Sequence, residues 1–245
     1  MFGKILAVMR IVGVLLALAF YLGRLMLLSV MFGRKDERGF RFRRKFANAA
    51  LRILGVRLIV RGTPATETAL YVSNHRSLVD PLIELSLIDA FVVSKAEVSG
   101  YPLVGRGARE TGVIFVQRQK TSSRAAARLA IRRALSDGKS VLIYPEGTTS
   151  KAETTQAFRL GSFQVAAELG VPVVPVAVDY ADPGNYWFEM PMLPFFLRKF
   201  SKKRTRAAVS IGTPIVSADP LALAEQARDW IGHEIHLLRQ TLRTG

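Results

Sequence analysis

The sequence predicts an α/β fold, a mixed sheet covered by helices, preceded by an N-terminal hydrophobic membrane-anchoring helical segment. Three observations carry this. Beyond residue 48, short apolar runs alternate with stretches of helical periodicity. Before it, Ile11–Phe32 is apolar apart from Arg24 and a few small or aromatic residues. Across the 245 residues, 49% are hydrophobic and 22% charged, which is enough apolar surface to offset chain entropy.

The N-terminal run, 22 residues long, can just span a bilayer. An arginine inside it costs ~2.5–3.5 kcal/mol on insertion scales, so a re-entrant or interface-lying helix pair competes with a simple span. Arg10, Tyr21 and Arg24 fall within about 60° on a helical wheel, a line that could face headgroups. No small-x-small cleavage site closes the run, so residues 1–32 read as a retained anchor. The basic segment RKDERGFRFRRKF follows. By the positive-inside rule it places the rest of the chain at the cytoplasmic face of the cell membrane. Residues 1–47 are thus expected to form an anchor with a basic juxtamembrane segment, and residues 48–245 one domain of catalytic size.

Candidate strands are Arg57–Arg61, Ala69–Val72, Ala90–Val93, Gly112–Val116, Ser140–Tyr144, Val173–Val178 and Ala207–Ile211. Ser122–Leu135 reads as a helix ending before Gly138, and Ser162–Leu169 as one stopped by Gly170. Asp219-Pro220 opens a C-terminal packing helix with Ala227, Ile231, Ile235, Leu238 and Leu242 on one face.

The net charge of +16 points to a polyanionic partner. Residues 1–47 carry +8 and Arg198–Arg206 (RKFSKKRTR) carry +6, leaving +2 elsewhere. A basic patch beside the most apolar segment suits an anionic membrane surface better than nucleic acid, which is not expected as a partner. Arg124, Arg128 and Arg132 form a further stripe, read as a solvated helix face with headgroup contact as the alternative. The absence of cysteine excludes disulfides, thiolate nucleophiles and thiolate metal sites. His233 and His236 have no third ligand nearby, so no metal is expected.

Chemistry concentrates at strand exits. In Y-V-S-N-H-R-S-L-V-D-P, Asp80 precedes a proline and reads as an N-cap, so residues 74–79 form a turn that can fold His75 back onto Asp80. A carboxylate on one ring nitrogen would fix the tautomer and support the imidazolium when the other nitrogen takes a proton. T-G-V-I-F-V-Q-R ends in Arg118, a fork suited to phosphate or carboxylate. V-L-I-Y-P-E-G-T-T-S offers Glu146, Gly147, Thr148 and Thr149 at the same edge. In V-P-V-V-P-V-A-V, two prolines mark a strand entry.

The ordered blocks N-H-x-x-x-x-D, G-V-I-F-V-x-R, Y-P-E-G-T and V-P-V-V-P-V resemble those of the 1-acylglycerol-3-phosphate acyltransferase family, the membrane-bound glycerolipid and lysophospholipid acyltransferases. The similarity covers roughly residues 55–180, with S-K-A-E-V-S-G-Y-P-L-V-G and A-F-R-L-G-S-F also familial in character. The resemblance implies that His75 is the general base and Asp80 its orienting carboxylate. It also implies that Gly112, Arg118, Glu146, Gly147, Thr148 and Thr149 hold the acyl acceptor. The expected reaction is O-acylation of a lysophospholipid, 1-acylglycerol-3-phosphate first, by acyl-CoA or acyl carrier protein, without a cofactor. Two positions depart from the family pattern: Gln117 stands where an acidic residue or Asn is usual, and Thr149 where many phosphatidate-forming members have Arg. The second departure makes a lyso-ornithine or other lyso-aminolipid acceptor the rival within the enzyme class. A non-catalytic basic protein that binds membrane or nucleic acid is the rival outside it.

Overall fold

The computed structural model describes residues 2–101, 103–116 and 121–244. Two helices open the chain, α1 (Phe2–Phe32) and α2 (Asp36–Ile53). There follow β1 (Val56–Arg61), β2 (Leu70–Ser73), α3 (Asp80–Glu84), β3 (Phe91–Lys95), α4 (Val104–Glu110), β4 (Val113–Val116), α5 (Thr121–Ser136) and β5 (Val141–Ile143). The chain ends with α6 (Gly161–Leu169), β6 (Val173–Tyr180), α7 (Met192–Lys199), β7 (Thr205–Ile211) and α8 (Pro220–Thr244). Each strand forms where an apolar run predicts one. The short helices α4 and α7 carry too little periodicity to be read in advance.

The strands make one mixed sheet in the order β1-β7-β6-β2-β5-β3-β4, parallel except for the β6–β7 pair. Side chains alternate between two cores. Leu70, Val72, Val173 and Ala177 pack with α5, α6 and α8, whereas Tyr71, Val174, Val176 and Val178 pack with residues of α2 and α3. Buried on both faces, β2, β5 and β6 read as continuous apolar runs, as parallel strands do. Because β2, β5, β3 and β4 run the same way, their carboxyl ends share one edge of the sheet.

Helix α1 does not stand away from the domain. Its first turn meets Ser201, and Arg10 donates to the carbonyls of Phe200 (3.0 Å), Lys202 (2.7 Å) and Lys203 (2.8 Å). Gly13 lies against Ile53 of α2, Leu18 and Leu22 approach Gly107 of α4, and just beyond the helix Arg34 pairs with Glu110. Arg10 therefore binds the domain rather than joining Tyr21 and Arg24 on a headgroup line. Arg24 itself is exposed, its guanidinium over the Phe20 ring. The outward face carries Leu16, Phe20, Leu27, Val30 and Met31, all large and exposed.

The segment read as a basic juxtamembrane stretch folds as α2, whose helix runs unbroken through residues 47 and 48. It buries Gly39, Arg43, Ala47, Ala50 and Leu51. Arg43 points inward, donating to the Thr111 carbonyl at 2.7 Å, and burial lowers its pKa to about 10. The arginine stripe of α5 also turns to protein: Arg128 donates to Gln164 of α6 at 3.3 Å and Arg132 pairs with Glu168. The side chain of Arg124 lies outside the described residues.

Candidate active site

The site grows from the carboxyl end of β2. Asn74, fully buried, continues the pairing with β6 through its side chain, donating to the Val178 carbonyl and accepting from the Val178 N–H, both at 2.9 Å. Those bonds turn the backbone outward at His75. The neighbouring turn after β5 then grips it, since the His75 N–H donates to Glu146 Oε1 at 3.1 Å and the Ser150 N–H donates to the His75 carbonyl at 2.9 Å. Buried Arg76 pins the outer part of the same loop, donating to the Glu153 carbonyl at 3.2 Å.

Within this frame His75 Nδ1 lies 2.9 Å from Asp80 Oδ2. The carboxylate is fully buried and takes three further donors: the N–H groups of Arg76 (2.6 Å) and Ser77 (2.7 Å), and the Tyr180 hydroxyl (2.6 Å). Asp80 thus turns back onto its own loop instead of capping α3 as expected, and Val79 precedes that helix without a side-chain cap. A carboxylate so placed orients Nδ1–H toward itself and leaves Nε2 as the free lone pair. With its side chain 17% exposed, the imidazole remains accessible to a substrate. Its ring stacks on Tyr144, centroids 4.1 Å apart and planes 19° from parallel.

Beneath the dyad lies Glu84, one helical turn beyond Asp80 and fully buried. Its carboxyl group hydrogen-bonds the hydroxyls of Ser73 and Tyr144, and in the protonated form its own O–H donates to one of them. Burial, reinforced by the nearby negative charge of Asp80, pushes Glu84 up to about 8, so it is protonated at neutral pH. The phenol of Tyr144 is raised well above its usual value, chiefly by burial. Glu84 and Tyr144 thus form a neutral, hydrogen-bonded floor under His75. A lone Glu in a short helix and a Tyr at a strand end gave no signal of this in the sequence.

The other expected site residues separate into groups. Glu146 and Gly147 are brought beside His75. Both Glu146 oxygens are engaged, one by His75 N–H and one by Gln156 N–H (3.2 Å), so its carboxylate, raised by burial, fixes the turn. Gly147 has φ +78°, and a Cβ there would come within 2.7 Å of the Arg159 guanidinium. Exposed Arg159 is therefore laid over the turn, a cation at the site that the A-F-R-L-G segment contained but spacing did not single out. Thr148 is exposed, whereas Thr149 is buried at 5% exposure and does not present its hydroxyl at the edge.

Gly112 is not brought to this place. It precedes β4 at the opposite edge of the sheet, with φ +83° and a virtual Cβ within about 3.0 Å of the Phe40 and Phe91 rings, a packing constraint. Arg118 and Gln117 lie outside the described residues.

The acyltransferase family model, described simply as Acyltransferase, matches residues 57–179. Among curated proteins, the chain is 30% identical over 173 residues to a lyso-ornithine lipid O-acyltransferase of Rhodobacter capsulatus, covering 66% of this chain and 62% of that protein. A lyso-ornithine lipid O-acyltransferase of Pseudomonas aeruginosa is 37% identical over 51% of this chain and 48% of its own length. A 1-acyl-sn-glycerol-3-phosphate acyltransferase of Borreliella burgdorferi is 31% identical over 53% and 54%. The chain therefore matches only about half to three-fifths of these relatives' length. The fold is similar to the crystal structure of the 1-acyl-sn-glycerophosphate acyltransferase PlsC from Thermotoga maritima, with TM-score 0.69 and 20% identity, covering 98% of this chain and 94% of that one. With a matching family model over half its length, and with the N-H-x-x-x-x-D and Y-P-E-G-T blocks brought together at His75 and Asp80, the chain belongs to the acyltransferase family.

Proposed function

We propose that this chain is a membrane-associated O-acyltransferase. It moves a fatty acyl group from a thioester, acyl-CoA or acyl carrier protein, to the free hydroxyl of a lysophospholipid, 1-acylglycerol-3-phosphate first. The observation that carries the reading is the accessible His75 imidazole held by a fully buried, four-donor Asp80. His75 Nε2 takes the acceptor's hydroxyl proton as that oxygen attacks the thioester carbonyl. Asp80 stabilises the resulting imidazolium. As the tetrahedral intermediate collapses, the C–S bond breaks and the proton passes to the leaving thiolate. Release of free thiol in the presence of a panel of lysolipids tests the reading directly. Thiol release that no lysolipid stimulates would sink it.

The acceptor headgroup is expected over the Glu146–Ser150 turn, where Arg159 supplies a charged fork. Arg159→Ala should lower catalytic efficiency on 1-acylglycerol-3-phosphate about tenfold, or ~1.4 kcal/mol, and less on acceptors whose phosphate is masked or absent. Paired acceptors competing in one reaction read that ratio, and an unchanged ratio would place the headgroup elsewhere. A lyso-ornithine or similar acceptor is the second reading, favoured by a buried threonine at position 149 where a phosphate-binding arginine is usual.

Helix α1 supports attachment in the plane of the membrane surface, and the basic segment that follows it is the ground for expecting the cytoplasmic face. It touches the domain from its first turn to its end while turning large apolar side chains outward, and a helix crossing the bilayer would drag that domain into hydrocarbon. The full chain should stay on anionic vesicles in high salt, because apolar insertion persists when charge is screened. Leu16→Glu combined with Phe20→Glu, both on the exposed face, should release the folded protein. Salt extraction of the unaltered chain in a sedimentation assay would show that charge alone holds it.

A further inference from the structure

We propose that Lys199 is a positioning residue of the dyad: its ammonium, seated on Ser77 and the face of Tyr180, sets the charge behind Asp80 and keeps His75 in its neutral, proton-accepting form. The inference rests on the reading of His75 as the base.

Lys199 closes α7 within the run RKFSKKRTR, where composition assigns every cation to the surface. The structure turns this one inward, at 1% exposure. Its Nζ donates to Ser77 Oγ at 3.0 Å and lies 4.2 Å from the Tyr180 ring centroid, with the Phe195 and Phe200 rings at 5.5 Å and 6.0 Å. Both polar neighbours lead to one group, since the Ser77 N–H and the Tyr180 hydroxyl each donate to Asp80. Packing alone gives no reason for this side chain. A residue of similar length without charge would fill the aromatic box and avoid taking an ammonium out of water.

Burial lowers Lys199 to about 7, with Asp80 and then Asp182 acting in the opposite direction. Below that pH it carries its charge. The remaining charged groups nearby are committed elsewhere: Asp182 pairs with Lys202, Arg10 of α1 binds backbone carbonyls beyond α7, and Arg76 binds the 150–153 loop. Glu84 is protonated over the same range. A cation directly behind Asp80 then opposes proton uptake by His75, because a protonated ring would place two positive charges around one carboxylate. An enzyme working on an anionic surface, where protons accumulate, gains a base that stays free.

The experiment uses the full chain on vesicles with Lys199→Met, which keeps length without charge, and Lys199→Gln, which keeps a hydrogen-bond donor without charge. In both, the acid limb of the kcat/KM profile should move to higher pH by about one unit, and activity just below neutral pH should fall accordingly. KM for the thioester should be unchanged. Thermal stability should hold or rise below about pH 7, where the full cost of burying the charge is present in the unaltered chain. An acid limb that stays in place in either folded variant overturns the proposal, as does a lower melting temperature with an unmoved profile. A limb that moves for Met but not for Gln assigns the effect to the hydrogen bond and overturns it as well. Failure of the base reading is read separately, as undiminished turnover in His75→Ala.

Discussion

His75→Ala is expected to lower acyl transfer by about 10^2–10^4-fold while leaving the protein folded and bound to vesicles. The loss falls on kcat and kcat/KM together, because proton removal is an interaction made only in the transition state. Little else depends on the ring. Its side chain is partly exposed, and both backbone groups of His75, which bind Glu146 and Ser150, survive the substitution. Loss of the stacking on Tyr144 costs about 1 kcal/mol. Thiol release at saturating lysolipid, with circular dichroism as the folding control, measures it. Near-normal turnover in the folded variant would remove the mechanism.

Asp80→Asn should lower kcat by a comparable factor at nearly constant KM, and for a different reason. The amide oxygen can take the position of Oδ2 and accept from His75 Nδ1 and the N–H groups of Arg76 and Ser77, while the amide NH2 faces the Tyr180 hydroxyl, which can rotate to accept. The geometry is thereby kept, but the negative charge that stabilises the imidazolium is gone. A coupled change follows at Glu84, whose carboxyl is raised in part by that charge: its pKa should fall from about 8 in the variant. Since Glu84 binds its proton more tightly folded than unfolded, the unaltered protein loses stability as pH rises from about 4.5 to 8, and Asp80→Asn should flatten that decline. Denaturant melts across this pH range read the slope. An unchanged kcat in the folded variant would mean that Asp80 orients the loop and has no part in the chemistry.

The sheet was largely legible because its signal is local. Each strand is an apolar run between turn residues, and β6 needs only its own eight residues to declare itself. The dyad was legible because Asp80 and Pro81 together force a turn after His75. The groups around it were hidden by their sequence neighbours. Lys199 lies among five other basic residues and Arg43 within RFRR, so charge counting places both outside; only tertiary packing turns them in. Glu84 becomes special through Ser73 and Tyr144, the latter 60 positions away. Gly112 sits away from His75 for a different reason: it precedes β4, so the strand's four residues carry it to the edge of the sheet opposite the carboxyl ends.

The side-chain pairing of Asn74 with Val178 spans 104 positions, and the Tyr180 hydroxyl reaches Asp80 across 100. Both contacts belong to β6, which is made well after His75 and Asp80 during synthesis. On the proposed reading, α1 is therefore complete and free to meet a membrane before β6 can order the loop that carries His75. Catalytic competence arrives as a late event, when β6 slots in beside β2 and closes a loop of about a hundred residues, a slow step in the sense of contact order. A fragment truncated ahead of Val173 would keep α1 but lack the strand whose Val178 and Tyr180 order the loop around His75 and Asp80.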